Sequence, residues 1–264
     1  MHPPALNAID VVGATVDFGQ TRALDNVSLS LAEGRCGGIV GESGSGKTTL
    51  LRAILGLQPL AAGQVSLFGT VVPPGARDYR AQARLIQPIF QDPAQSLSPR
   101  RRIGQSMDEV AECLAEPRDA LRARLDPILT RLGLPSRVVD LYPHQLSGGQ
   151  ARRAAIARAL LFGPRILVAD EPSAGLDVSV QGDLLNLLQD IRVESGTTLL
   201  VISHNLAIVR LIADRVTVMH HGKVVEEGPA AAVFDAPGDA YTRQLVASWP
   251  GTNDHDRRTL TPPV

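Results

Sequence analysis

The stretch Gly41-Glu42-Ser43-Gly44-Ser45-Gly46-Lys47-Thr48-Thr49 restricts what this chain can fold into more than any other segment, and it directly follows the apolar pair Ile39-Val40. From Gly41 to Thr48 it matches G-x-x-x-x-G-K-[ST] in full. Gly41, Gly44 and Gly46 let backbone N–H groups curl around an anion, which then sits at the positive end of a helix beginning near Lys47. The Lys47 ammonium reaches β- and γ-phosphates as a mobile point charge, and the Thr48 hydroxyl is a hard oxygen ligand suited to Mg2+. Ser43 belongs to the same cradle, and Thr49 adds an α-phosphate contact. The competing explanation, a chance Gly/Ser turn, lacks the strand before and the helix after that this motif requires.

The rest of the chain supplies that context. Residues 9–18, 27–31, 36–40 and 65–68 are short, β-rich and separated by turn residues, while 47–57 reads as a helix ending at Gly56 or Pro59. From about 92 to 162 the apolar positions recur every three or four residues, as in Leu121, Leu125, Ile128, Leu129 and Leu132, which marks a helical insert. Strand and helix then alternate through 166–169, 180–194, 198–202, 206–213 and 216–219, which predicts an α/β fold with a largely parallel sheet covered on both faces. A tight hairpin turn is expected at His220-His221-Gly222; adjacent turn histidines splay apart and have no third ligand nearby, so they make a poor metal site. The expected organisation is a single domain over 1–250 and a polar, proline-ended tail at 251–264.

Composition narrows the function. With 26 basic and 27 acidic residues the net charge is -1, which gives no field to draw the chain to nucleic acid or anionic lipid. Cys36 and Cys113 lie far apart and in no CxxC spacing, so neither a disulfide framework nor a zinc site is expected. No apolar run reaches the ~18 residues that cross a bilayer. Arg100-Arg101-Arg102 has no interleaved aromatics and reads as a solvated face or a protein contact, not a nucleic-acid patch.

A phosphate loop needs carboxylates from elsewhere, and "ILVADE" at 166–171 delivers two where the chain leaves a buried strand. Asp170 fits an outer-shell Mg2+ partner, and Glu171 can polarise a water for attack on a γ-phosphate. The absence of an N-K-x-D guanine-reading sequence favours ATP over GTP.

With "LSGGQ" at Leu146–Gln150, followed by "ARRAAIARAL" and then Asp170-Glu171, the chain resembles the nucleotide-binding subunit of an ATP-binding cassette (ABC) transporter over roughly residues 9–249. The resemblance implies a P-loop NTPase core with a mainly parallel sheet, an N-terminal antiparallel β subdomain and the inserted helical subdomain. It implies that Phe18 stacks on adenine where the family more often has Tyr. It implies that Gln91 in "IFQDP" senses γ-phosphate and Mg2+, and that His204 in "VISHNL" contacts the γ-phosphate. Two subunits would pair head to tail, with Ser147, Gly148, Gly149 and Gln150 of one closing on the phosphate loop of the other. Asp177 in "SAGLD" would belong to the loop joining the two sites, where Ala174 replaces the more usual serine.

Three segments resemble the branch that energises import of peptides, nickel and related solutes: "IFQDPAQSLSPRRRIGQ", "LDVSVQ" and "VFDAPGDAYTRQLVASWP". The implied partners are a second ATPase subunit, identical or related, two integral-membrane permeases docking near residues 92–112, and indirectly an extracytoplasmic solute-binding protein. The implied location is peripheral, on the cytoplasmic face of the inner membrane, and the implied activity is Mg2+-dependent ATP hydrolysis. The alternative is an ABC-type ATPase of a soluble complex, such as phosphonate-degradation machinery. A DNA-repair ATPase would carry a long coiled-coil or zinc insertion, which the helical region lacks.

Overall fold

A computed structural model of the chain describes residues 6–73, 79–172, 174 and 178–249. The first part runs β1 (Asn7–Phe18), β2 (Thr21–Ala32), β3 (Cys36–Val40), α1 (Lys47–Ile54), β4 (Ala62–Leu67), β5 (Thr70–Val71), α2 (Tyr79–Leu85) and β6 (Ile86–Ile89). It continues with α3 (Ile103–Leu114), α4 (Arg118–Arg131), α5 (Gly148–Leu161), β7 (Ile166–Asp170), α6 (Val178–Ser195) and β8 (Thr198–Ile202). The last elements are α7 (Leu206–Ile212), β9 (Arg215–His220), β10 (Lys223–Pro229), α8 (Ala230–Asp235) and α9 (Ala240–Ala247).

Two sheets carry these strands. The first, ordered β2-β1-β4-β5, is antiparallel throughout. Its strands show mixed burial because one face packs on the core and the other meets solvent. The second is ordered β10-β9-β3-β8-β7-β6 and is parallel except for the edge pair β9–β10. Every residue of β3 and β8 is buried, as the continuous apolar runs at 36–40 and 198–202 require of strands covered on both faces.

Three apolar clusters hold the layers. One joins the inner faces of β7 and β8 to α3, α4, α5 and α6, one fills the space between the two sheets around α1, and a third sits under α7, α8 and α9. The helical insert is therefore continuous with the core through α5 and is not a detached unit.

The expected elements are found, with differences at their ends. Helix α1 stops at Ile54, two residues before Gly56, whose positive φ of 67° closes the last turn. Helix α2, strand β6 and the two C-terminal helices carry no periodic signal in the sequence, although the segment holding the last two resembles the import branch. Strand β6 is four residues long and contains Pro88, and α8 has six residues, too few for a period to register.

Candidate active site

The loop after β3 is shaped by glycines that nothing else could replace. At Gly41, with φ of 152°, an added Cβ would meet the Met219 carbonyl oxygen of β9 at 2.2 Å; at Gly46, with φ of 103°, it would meet the Ala23 carbonyl oxygen of β2 at 2.8 Å. The loop is thus pressed between the two sheets. Helix α1 begins immediately after it with no side-chain cap, so its first-turn N–H groups face the loop without intrahelical partners.

Lys47 sits under this cradle at 8 % exposure, and its Nζ donates to the Gly41 carbonyl (2.6 Å), the Glu42 carbonyl (2.8 Å) and Ser45 Oγ (3.3 Å). Burial pushes its pKa down, and the charges of Glu171, Asp170 and Glu42 oppose that shift. Asp170, the last residue of β7, is pushed the other way: burial raises its carboxyl first, and the like charge of Glu171 adds to it. A buried cation facing two carboxylates is the electrostatic pattern of a site built for an anion and a divalent metal together.

Glu171 is held in a conformation few non-glycine residues adopt, with φ of 47°. Its N–H donates to the Ile202 carbonyl at 2.8 Å, tying it to the end of β8. One carboxylate oxygen accepts from the His204 N–H (2.9 Å) and lies 2.8 Å from His204 Nδ1; the other accepts from Ser203 Oγ at 3.1 Å. The Nδ1 side of the exposed His204 ring thus faces the Glu171 carboxylate.

One cavity of about 930 Å³ gathers this chemistry. Gly41, Ser43, Gly44, Gly46, Lys47, Thr48, Thr49, Asp170, Glu171 and His204, each expected to serve nucleotide binding or catalysis, all line it. The donor set fits magnesium: the Thr48 hydroxyl and the Asp170 carboxylate are hard oxygens, and a Mg2+ site asks few ligands of the protein when substrate phosphates and water supply the rest. No group of three or more His, Cys, Asp or Glu is arranged to hold a metal among the described residues.

Other expected residues stand apart. Phe18 does not line the cavity; it lies half exposed at the end of β1, paired across the hairpin with Thr21, which does line it. The Gln91 side chain is likewise outside the lining, while its carbonyl accepts from Arg152 Nη2 at 2.8 Å. Ser147, Gly148, Gly149 and Gln150 do not line the cavity and lie at the largely exposed start of α5. There Ser147 caps the helix, its Oγ accepting from Gln150 N at 3.3 Å while Gln150 Oε1 accepts from Ser147 N at 3.1 Å. Asp177 lies outside the described residues.

The structure also recruits residues that the sequence reading passed over. His221 (φ 47°) and Gly222 (φ 76°) form the β9–β10 turn, and Gly222 N donates to the Ser45 carbonyl at 3.0 Å, buttressing the phosphate loop. The two histidines do not splay apart as expected: their ring centroids lie 4.0 Å apart, and the His220 ring also stacks on Tyr241 at 3.8 Å, which draws the pair to one side of the turn. Arg22 and Leu245 complete the cavity wall. Glycine and histidine in a hairpin were visible in the sequence; their position against the loop was not.

Known proteins are similar to this chain in sequence and in fold. Residues 24–174 match the family described as ABC transporter. The chain is 42% identical over 232 residues to a Brucella abortus (strain 2308) protein named for peptide import ATP binding, covering 87% of this chain and 70% of that one. It is 42% identical over 236 residues to the di/tripeptide transport ATP-binding protein DppF of Pseudomonas aeruginosa (strain UCBPP-PA14), covering 88% of this chain and 72% of that one. Among solved structures it is similar to cbiO1 from Clostridium perfringens, part of the ABC transporter complex cbiONQ, with a TM-score of 0.79 at 29% identity over 87% of this chain and 91% of that one. It is also similar to the ATP-binding cassette MJ0796, a dimer in a post-hydrolysis state with ADP and Pi, with a TM-score of 0.73 at 28% identity over 84% of this chain and 98% of that one.

Proposed function

This chain belongs to the ABC transporter family, and on that premise we propose that it is the ATP-hydrolysing subunit of a peptide importer. The observation that carries the reading is the single cavity in which the phosphate loop, Lys47, Asp170, Glu171 and His204 converge. In it the loop N–H groups and Lys47 bind the phosphates, while Thr48 and Asp170 would hold Mg2+, which would neutralise phosphate charge. Glu171 accepts the proton of the attacking water, and His204, fixed by Glu171, presents its ring at the γ-phosphate.

The subunit works in a pair and with membrane permeases. The exposed Ser147–Gln150 segment, which does not line its own cavity, suits a role in trans on a partner's nucleotide, where α5 would offer helix N-terminal N–H groups to the γ-phosphate. The γ-phosphate would then bridge two subunits, and its removal would release them. No described helix is long and apolar enough to cross a membrane, so membrane attachment falls to the permeases. We place the subunit at the cytoplasmic face, with residues 92–112 as the docking surface. Phe18 at the cavity rim supplies the adenine stack, and Asp177 joins the two sites. Nickel remains a second possible cargo within this branch.

The test is affinity purification of the Glu171→Gln chain from native membranes with ATP present, followed by mass spectrometry. Recovery of two multi-spanning permeases is the expected result, and a co-purified second ATPase would identify a heterodimer. Recovery of soluble enzymes alone would overturn the transporter reading.

A further inference from the structure

Resting on the ATP-site reading above, we propose that the C-terminal helix α9 is a third wall of the nucleotide site. The Tyr241 hydroxyl is a positioning group for the phosphate loop, and Leu245 is an apolar contact for the nucleoside half of ATP. Tyr241 and Glu42 are 199 residues apart in the chain, yet the Glu42 N–H donates to the Tyr241 hydroxyl at 3.2 Å. The Tyr241 ring lies on His220 at 3.8 Å with only 10° between planes. His220 ends β9, and two residues on, Gly222 N donates to the Ser45 carbonyl. The loop is therefore gripped at Glu42 from α9 and at Ser45 from the β9–β10 turn, and the ring stack joins the two grips.

Helix α9 is anchored firmly enough to serve. Asp239 caps it, its Oδ1 accepting from Tyr241 N (2.8 Å) and Thr242 N (3.3 Å). Glu226 of β10 accepts from Gly238 N (2.8 Å) and Asp239 N (3.1 Å), and Arg243 Nη1 donates to the Pro237 and Gly238 carbonyls at 3.1 and 2.6 Å. One helical turn beyond Tyr241, on the same face, Leu245 lines the cavity beside the loop. Burial raises the Tyr241 pKa, and the hydrogen bond from the Glu42 N–H opposes that shift. Packing alone needs the ring; holding the Glu42 amide needs the oxygen.

The test uses the full chain and displacement of a fluorescent ATP analogue by ATP or by inorganic tripolyphosphate, which has no nucleoside. Tyr241→Phe keeps the ring and removes the oxygen, so it should weaken both competitors by about 2- to 12-fold, the range of one neutral hydrogen bond, and raise KM while kcat holds. Leu245→Ala should weaken ATP several-fold and leave tripolyphosphate unchanged. A Tyr241→Phe chain that binds both competitors like wild type, even with a lowered melting temperature, has lost only packing and overturns the positioning role. Leu245→Ala weakening both equally overturns the nucleoside contact. Lys47→Ala separates the two levels of argument: binding that does not depend on Lys47 sinks the ATP-site reading itself, whereas Lys47-dependent binding indifferent to Tyr241→Phe sinks only this inference.

Discussion

At the scale of single residues, the site is decided by a few groups whose environments pull them away from ordinary behaviour. Lys47 is buried and depressed, Asp170 is half-buried and raised, and Glu171, at positive φ, has its N–H and both carboxylate oxygens engaged by Ile202, Ser203 and His204. Replacing Lys47 by Ala removes the buried cation that faces the phosphates. ATP affinity should fall by about 10- to 150-fold, the worth of a charge-assisted hydrogen bond, and equilibrium binding of a fluorescent ATP analogue measures it. Most of these residues were legible because the loop motif and the Asp-Glu pair each fix chemistry to adjacent positions. His204 was legible only through motif order, since a lone histidine after a strand says nothing about Glu171, 33 residues away. Tyr241 was legible as part of a recurring segment, but its contact with Glu42 was not, because contacts between distant positions leave no periodic trace in a sequence.

Among the elements, α5 connects most of the parts that must act together. Its Arg152 is 8 % exposed and donates to three carbonyls: Pro172 (2.9 Å) after β7, Gln91 (2.8 Å) after β6, and Ala174 (3.1 Å). One guanidinium thus fixes the helix that begins at Ser147 to the segments that follow two core strands. Burial pulls the Arg152 pKa down while Asp92 opposes it, and the group keeps its charge because the ordinary value lies so far above neutrality. Arg152→Met retains the volume and abandons the three carbonyls. Stability should fall by about 2–4 kcal/mol in urea denaturation, with the midpoint reduced and the slope unchanged. The helix itself was plain in the sequence; its hub was not, because an Arg-Arg pair on a helix reads as solvated surface until the neighbouring loops are in place. Strand β6 escaped notice for a simpler reason, being four residues long with a proline inside.

Over the whole molecule, two sheets meet across the phosphate loop, and apolar side chains fill the space between them. Cys36, at the start of β3, belongs to the apolar cluster that joins β7 and β8 to the helical insert: burial pushes its thiol up to about 12, and its N–H donates to Asp214 Oδ2 at 2.7 Å. The folded chain keeps this proton where the unfolded chain, near the ordinary thiol value of about 8.5, releases it. The contribution is therefore complete below that value and is lost as pH rises toward 12. Stability measured by urea denaturation should decline over that window, and Cys36→Ala should flatten the decline. A thiol reagent at pH 8 should label the half-buried Cys113 well before Cys36, as mass-spectrometric mapping would register. The α/β architecture was legible in advance, since buried parallel strands read as continuous apolar runs; the two C-terminal helices, of which α9 brings Leu245 to the cavity lining, were too short to announce themselves. The central claim, that this cavity hydrolyses ATP with Glu171 taking the proton from water, is tested most directly by one comparison. Phosphate release and ATP retention would be measured on the membrane-assembled complex carrying either the wild-type or the Glu171→Gln chain. The account predicts retained ATP and a rate lower by about 10²-fold or more, since the amide cannot accept the proton. Turnover at the wild-type rate would contradict it.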